Sequence, residues 1–284
     1  MGASGTTGAA LLGTLVASGV PSRALTRNPD RLRAQLGATA DGFVEVVRAD
    51  AADMASLRAA FTGARQLFLA MANSPDQVEL EIRVLDAAAE SGIEHVVKIS
   101  APAAEADSPV AISRGHYTVE QHLRTSGLTH TVLRPYAFMQ NLLHLAPGVA
   151  EQGVVLGAMD EASCNWVDGR DVADVAAAVL MHSDLAGGTY VLTGSEALGY
   201  GELARILTRL LGRPVRYVNL APQQLRDNLI HHAHMPVWLA EHIVEIQQLA
   251  VAQPESPTDT VAHLLGREPR TLNAFLHEHL NRFC

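Results

Sequence analysis

The chain has 284 residues, 48% of them hydrophobic, with a formal charge of -9 and no block of like charge. That length buries one large core, or a nucleotide-binding core with a smaller appended region, and the lack of a basic stripe removes the electrostatic footprint of nucleic-acid binding. Cys164 and Cys284 stand far apart in no metal spacing, which argues against a disulfide framework and suits a reducing cytoplasm. No apolar run approaches the roughly 20 residues that span a bilayer, so a soluble, cytoplasmic monomer or homodimer with no membrane partner is expected.

From residue 9 to about 192, short β-type runs alternate with helical patterns. The predicted strands are 23–26, 43–48, 66–71, 95–100, 130–134 and 190–192; the predicted helices are 9–18, 55–61, 77–90, 113–126 and 172–181. This order gives an α/β fold with a doubly wound, mostly parallel sheet. After Gly194 the pattern turns mostly helical, at 200–211, 223–233, 237–251 and 271–279, with one β-like run at 215–218 and a loop or hinge at 253–259. A nucleotide-binding domain over 1–194 and a substrate-capping region over 195–284 follow.

The chain opens on Gly2-Ala3-Ser4-Gly5-Thr6-Thr7-Gly8. The first glycine suits a tight turn, the second lets backbone approach a pyrophosphate, and the third lets a helix pack on a strand. A helix beginning near Thr6 then points free N–H groups at the phosphates. Such a turn follows a buried central strand, so roughly five to seven residues are expected ahead of Met1 to fill that place. At the end of the next strand, where an acid would bind a ribose 2'-hydroxyl, the sequence reads Thr26-Arg27-Asn28. A guanidinium there, helped by Ser4, favours NADP(H), with NAD(H) as the second option. Asp50 and Ala51 are expected beside the adenine, and Ala70, Met71 and Ala72 beside the ribose.

Together with Ala24 to Pro29, His95 to Ser100, His116 to Glu120, Leu133 to Asn141, Asp168 to Val172, Leu192-Thr193-Gly194 and Gly266 to Arg270, these motifs resemble the atypical short-chain dehydrogenase/reductases. The similar branch holds NmrA-like proteins, azo and triphenylmethane dye reductases and, more distantly, ketoreductases of aromatic polyketide (angucyclinone) biosynthesis. The resemblance implies an NAD(P)-binding Rossmann domain and a variable C-terminal substrate region.

The family's usual Tyr-x-x-x-Lys proton donor is absent. The only lysine, Lys98, ends a strand, and no tyrosine has Lys four residues later. By spacing, His116 takes the lysine position and Ile112 the tyrosine position, while Ser100 stands near the active-site hydroxyl. Three routes stay open: hydride transfer with a substrate-assisted or solvent proton, proton donation by His116, or dinucleotide binding without turnover in a redox sensor of the NmrA type. A lost general acid costs about 10²- to 10⁴-fold, so a reductase of an aromatic ketone or quinone survives it. Pro135 and Tyr136 are expected at the cofactor, and Tyr136, Phe138, Met139, Asn141 and Trp166 at a bulky aromatic substrate. His231, His232 and His234 lack acidic or thiolate partners at ligand spacing, and no metal is expected.

Overall fold

The computed structural model describes residues 1–37 and 42–284. In chain order the elements run α1 (Thr6–Ala17), β1 (Ser22–Thr26), α2 (Pro29–Leu36), β2 (Val44–Arg48), α3 (Met54–Phe61), β3 (Gln66–Leu69), α4 (Gln77–Glu90), β4 (His95–Ile99), α5 (Ala111–Thr125) and β5 (Thr129–Pro135). Next come β6 (Ala137–Phe138), α6 (Ala146–Gln152), β7 (Val154–Gly157), β8 (Ser163–Val167), α7 (Gly169–Met181) and β9 (Thr189–Leu192). The remainder is β10 (Ala197–Gly199), α8 (Tyr200–Leu211), β11 (Arg216–Asn219), α9 (Pro222–His231), α10 (Val237–Ala252), α11 (Thr260–Leu265) and α12 (Leu272–Glu278).

Two compact units result. The first holds residues 1–106, 113–135 and 169–191; the second holds 107–112, 136–168 and 192–284. The structure therefore divides the chain differently from the boundary expected at Gly194. Residues 136–168 supply β6, β7 and β8, which pair only with strands of the second unit, so they leave the nucleotide-type unit although they precede α7 in sequence.

In the first unit β1 pairs parallel with β2, and a second sheet runs in the order β3-β4-β5-β9 with β3, β4 and β5 parallel. Helices cover both faces. Ala24 and Leu25 are successive strand residues and so point to opposite sides. Ala24 joins Ala3, Leu12 of α1 and Leu32 of α2, whereas Leu25 joins Leu57 of α3, Leu85 of α4 and Val119 of α5. The residues before the glycine turn run beside β3: the Met1 α-amino group donates to the Phe68 carbonyl at 2.7 Å, and Ala70 N–H donates to the Met1 carbonyl at 3.3 Å. Helix α2, which periodicity did not reveal, starts where Asn28 accepts the Arg31 N–H and Pro29 fills the first helical turn.

The second unit is less helical than the sequence implies. Strand β8 is flanked by antiparallel β10 and parallel β6, and β7 pairs parallel with β11. Its core gathers Met139, Val155, Trp166, Tyr200, Leu203, Leu207, Phe275 and Phe283. The two-residue β6 and the three-residue β10 are too short to leave an alternating pattern in sequence.

On α10, the His242 Nδ1 is buried without a hydrogen-bond partner, and burial pulls the imidazole pKa down to about 4. The unfolded chain protonates this residue near pH 6.5 and the folded chain does not, so its contribution is present above pH 6.5 and is lost as pH falls towards 4. We predict that the wild type loses about 2 kcal/mol from this group between pH 8 and pH 5. In His242→Leu, denaturant midpoints across that range should fall less steeply; an unchanged slope would refute the assignment.

Candidate functional site in the nucleotide-type unit

The glycine turn is shaped by contact as much as by conformation. Gly2 has φ +86°, and a Cβ there would stand 1.9 Å from the Ala70 carbonyl oxygen at the end of β3. A Cβ on Gly8 would stand 2.1 Å from the Gly2 carbonyl oxygen. Both positions are closed to any side chain. The turn is fastened by the Gly5 N–H donating to the Gly2 carbonyl at 3.0 Å. Helix α1 begins at Thr6 with no side-chain cap and no acidic residue in its first turn. Its leading amides, on Thr6, Thr7 and Gly8, thus face outward as anion donors.

A cavity of about 360 Å³ is lined by Arg27, Arg48, Ala49, Asp50, Asp53 and Ser56. Arg27 was expected here; Arg48, at the end of β2, was missed although it repeats the signal of Arg27 one strand later. Neither guanidinium makes an ion pair or hydrogen bond to a described residue. The carboxylates beside them are committed to backbone: Asp50 Oδ1 accepts the Ala52 N–H at 3.0 Å, and Asp53 Oδ1 accepts the N–H groups of Ala55 and Ser56 as the α3 cap. Two uncompensated cations in one recess favour a dianionic group such as a phosphate. Ser4, Asp50 and Ala72 are exposed and Ala70 and Met71 half-buried, whereas Ala51 is buried and packs in the core between β1 and α3.

At the heart of the unit a polar network replaces apolar packing. Lys98, in the middle of the buried β4, is wholly inaccessible. Its Nζ donates to the Ile99 carbonyl at 2.8 Å, faces Glu81 Oε2 of α4 at 2.8 Å as an ion pair outside hydrogen-bond alignment, and lies 3.1 Å from His116 Nδ1. An ammonium has no lone pair, so His116 Nδ1 must accept. The imidazole hydrogen then sits on Nε2, and a second proton on Nδ1 would point at a cation.

Ser100 donates its hydroxyl proton to Glu120 Oε1 at 2.6 Å, and the same carboxylate takes Arg134 through both oxygens, at 3.0 and 2.7 Å, and Arg124 at 2.9 Å. The two candidate catalytic residues therefore come from one buried cluster spanning β4, α5 and β5. Sequence reasoning named Ser100 and His116 but not Lys98, Glu81, Glu120 or Arg134, which join them only across long sequence separations. Pro135, which closes β5, is buried.

Four of the residues expected at a substrate belong to the second unit, together with Tyr136. Met139 and Trp166 are only 1% and 5% exposed and sit in its core, with the indole stacked on Tyr200 and its N–H donated to the Leu198 carbonyl at 2.8 Å. That burial removes them from direct contact with a ligand. Tyr136 and Phe138 are half-buried and Asn141 is exposed. His231, at the end of α9, and the following His232 and His234 are exposed.

A parallel sheet wound on both faces, a side-chain-free turn before a helix start, and an arginine-lined recess after β1 and β2 define a dinucleotide-binding protein of the Rossmann class. The chain belongs to the NmrA-like family, whose model matches residues 1–276. It is 32% identical over 286 residues to an NAD(P)H azoreductase of Xenophilus azovorans, covering 100% of this chain and 98% of the relative. It is 36% identical over 286 residues to a (4-alkanoyl-5-oxo-2,5-dihydrofuran-3-yl)methyl phosphate reductase of Streptomyces griseus, with the same coverage. Among solved structures it resembles the NADPH complex of the Escherichia coli quinone oxidoreductase QOR2, with a TM-score of 0.89 and 27% identity over 99% of this chain and 98% of that one.

Removing the Lys98 ammonium strands Glu81 in the core. Lys98→Met should cost about 3–5 kcal/mol of unfolding free energy, as for other broken buried pairs. A Lys98→Met/Glu81→Leu double variant should recover most of it; urea titrations in which the double variant is no more stable than the single one would show that the pair is not the source.

Proposed function

We propose that this protein is an NADPH-dependent reductase that delivers hydride to a ketone or quinone of a bulky aromatic molecule. The observations that carry this are the recess in which Arg27 and Arg48 stand without ion-pair partners among the described residues and the uncapped start of α1. Diphosphate and 2'-phosphate both find donors there, and the bare Cα positions of Gly2 and Gly8 leave backbone amides within reach of the former. The relatives add the chemistry: both curated ones are named as reductases, and the structural neighbour is a quinone oxidoreductase solved with NADPH.

Bound NADPH supplies the hydride. The residues of the chain bind, orient and exclude water. Thr6, Thr7 and Gly8 amides hold the pyrophosphate, Arg27 and Arg48 clasp the 2'-phosphate, Asp50 lies by the adenine, and Ala70, Met71, Ala72 and Pro135 line the way to the nicotinamide. His116 and Ser100 are the polar residues closest to the chemistry in this reading, and the Ser100 hydroxyl is held by Glu120. Tyr136, Phe138 and Asn141 contact the substrate, with Met139 and Trp166 supporting them from the core. A tailoring ketone reduction on an aromatic polyketide is the specific version favoured here.

Arg27→Ala and Arg48→Ala should each weaken NADPH binding about tenfold, roughly 1.4 kcal/mol, while leaving NADH affinity within about twofold. Calorimetry with both nucleotides decides this, and equal losses for the two would overturn the 2'-phosphate assignment. Steady NADPH oxidation with a panel of aromatic ketones and quinones tests the activity itself. A protein that binds NADPH and oxidises it with none of them is a redox sensor instead.

A further inference from the structure

Strand β8 of the second unit is left unfinished at one residue. β10 reaches no further than Asn165, and β6 starts only opposite Trp166, so both neighbouring strands stop there. The loop between α10 and α11 takes their place. Glu255 Oε2 accepts the backbone N–H of the fully buried Asn165 at 2.9 Å, and Asn165 Nδ2 donates to the Ser256 carbonyl at 3.1 Å. A second fastening lies three residues on, where the buried Thr193 hydroxyl oxygen accepts the Thr258 N–H at 2.9 Å.

Within residues 253–259 only Glu255 and Thr258 are half-buried, and the rest are exposed. Pro254 and Pro257 have no N–H with which to add a bond. The segment is thus pinned at two points, and one of the two pins ionises.

We propose that residues 253–259 form a pH-operated strap on the second unit, latched to β8 while Glu255 carries a proton and lifting as the carboxyl ionises. The strap needs neither nucleotide nor substrate and stands independently of the reductase function. Lifting frees Asn165 and Thr193 together.

A carboxylate at this place has one backbone N–H and no cation paired to it among the described residues. Closing the strap over that charge costs solvation that a single bond does not return. Burial accordingly pushes the Glu255 carboxyl up to about 7, with the Asn165 N–H pulling the other way. The titratable groups that feel its charge are the Tyr136 phenol, just ahead of β6, and the Cys164 thiol on β8. Burial first, and then that charge, push both above their ordinary values, so both stay neutral through the range in which Glu255 ionises. Lifted into water, the carboxyl ionises near its ordinary 4.5. The latched form therefore holds the proton more tightly: the latch is at full strength below pH 4.5 and weakens as pH rises through 7.

Amide hydrogen exchange on the full chain, each rate referred to the intrinsic rate at its pH, tests this. Protection of the Asn165 and Thr258 N–H groups should fall together by about 10²-fold between pH 5 and pH 8.5, while amides in the middle of α8 keep theirs. Glu255→Gln keeps an acceptor for the Asn165 N–H and cannot ionise, so its protection should change by less than about threefold over the same range. A flat wild type, or a fall that survives in Glu255→Gln, overturns the latch. An equal fall in α8 overturns it too, since the whole unit would then be opening. A fall at Asn165 without one at Thr258 overturns the strap, because one bond would be loosening where a segment should lift.

Discussion

The first unit is organised around a single buried cation. Lys98 is the only lysine in the chain, and it stands on a strand whose residues 95–98 are all buried. A cation there is tolerable only because carboxylate, carbonyl and imidazole acceptors surround it, one from each of α4, β4 and α5. Glu81 ties α4 to β4, and His116 ties α5 to it. The same constraint orients the His116 ring, whose Nδ1 lies 3.1 Å from the ammonium.

Charge pairing elsewhere in the unit sharpens the meaning of the arginine recess. Arg23 pairs with Glu45, Arg58 with Glu90, Arg65 with Glu94 and Arg83 with Glu79, all on exposed surfaces where such pairs are worth little. Their value as evidence is comparative. The chain has enough acid to neutralise its arginines and does so along these strands and helices, yet Arg27 and Arg48 face a cavity whose acids are turned towards the α3 cap. Two strand ends that withhold compensation at one spot build a cradle for an anion brought by a ligand.

What the sequence made legible follows the range of the interactions involved. The glycine turn, β1 to β5 and α3 to α5 are set by spacings within about twenty residues, and their patterns survive in sequence. Helix α2 was signalled by Asn28 and Pro29, but a motif read for its arginine concealed a helix cap. The family resemblance identified the nucleotide-binding unit, but β6, β7 and β8, within the stretch assigned to that domain, and β10 beyond Gly194 were missed. The two-residue β6 and the three-residue β10 carry no period that distinguishes them from loop. Met139 and Trp166 illustrate the opposite error: large apolar residues near an expected site were assigned to a ligand when a core of their own was waiting for them. The Lys98 network escaped because one of its partners, Glu81, belongs to a helix with no motif.

Glu120 and Glu255 show how one residue type is put to opposite uses. Glu120 accepts from the Ser100 hydroxyl and from two guanidiniums, so every side of the buried carboxyl is occupied by donors. Glu255 has one backbone N–H and no cation, so burial dominates and its proton is held into the neutral range. The number of donors around each carboxyl, more than its position in the sequence, decides to which of the two uses it is put.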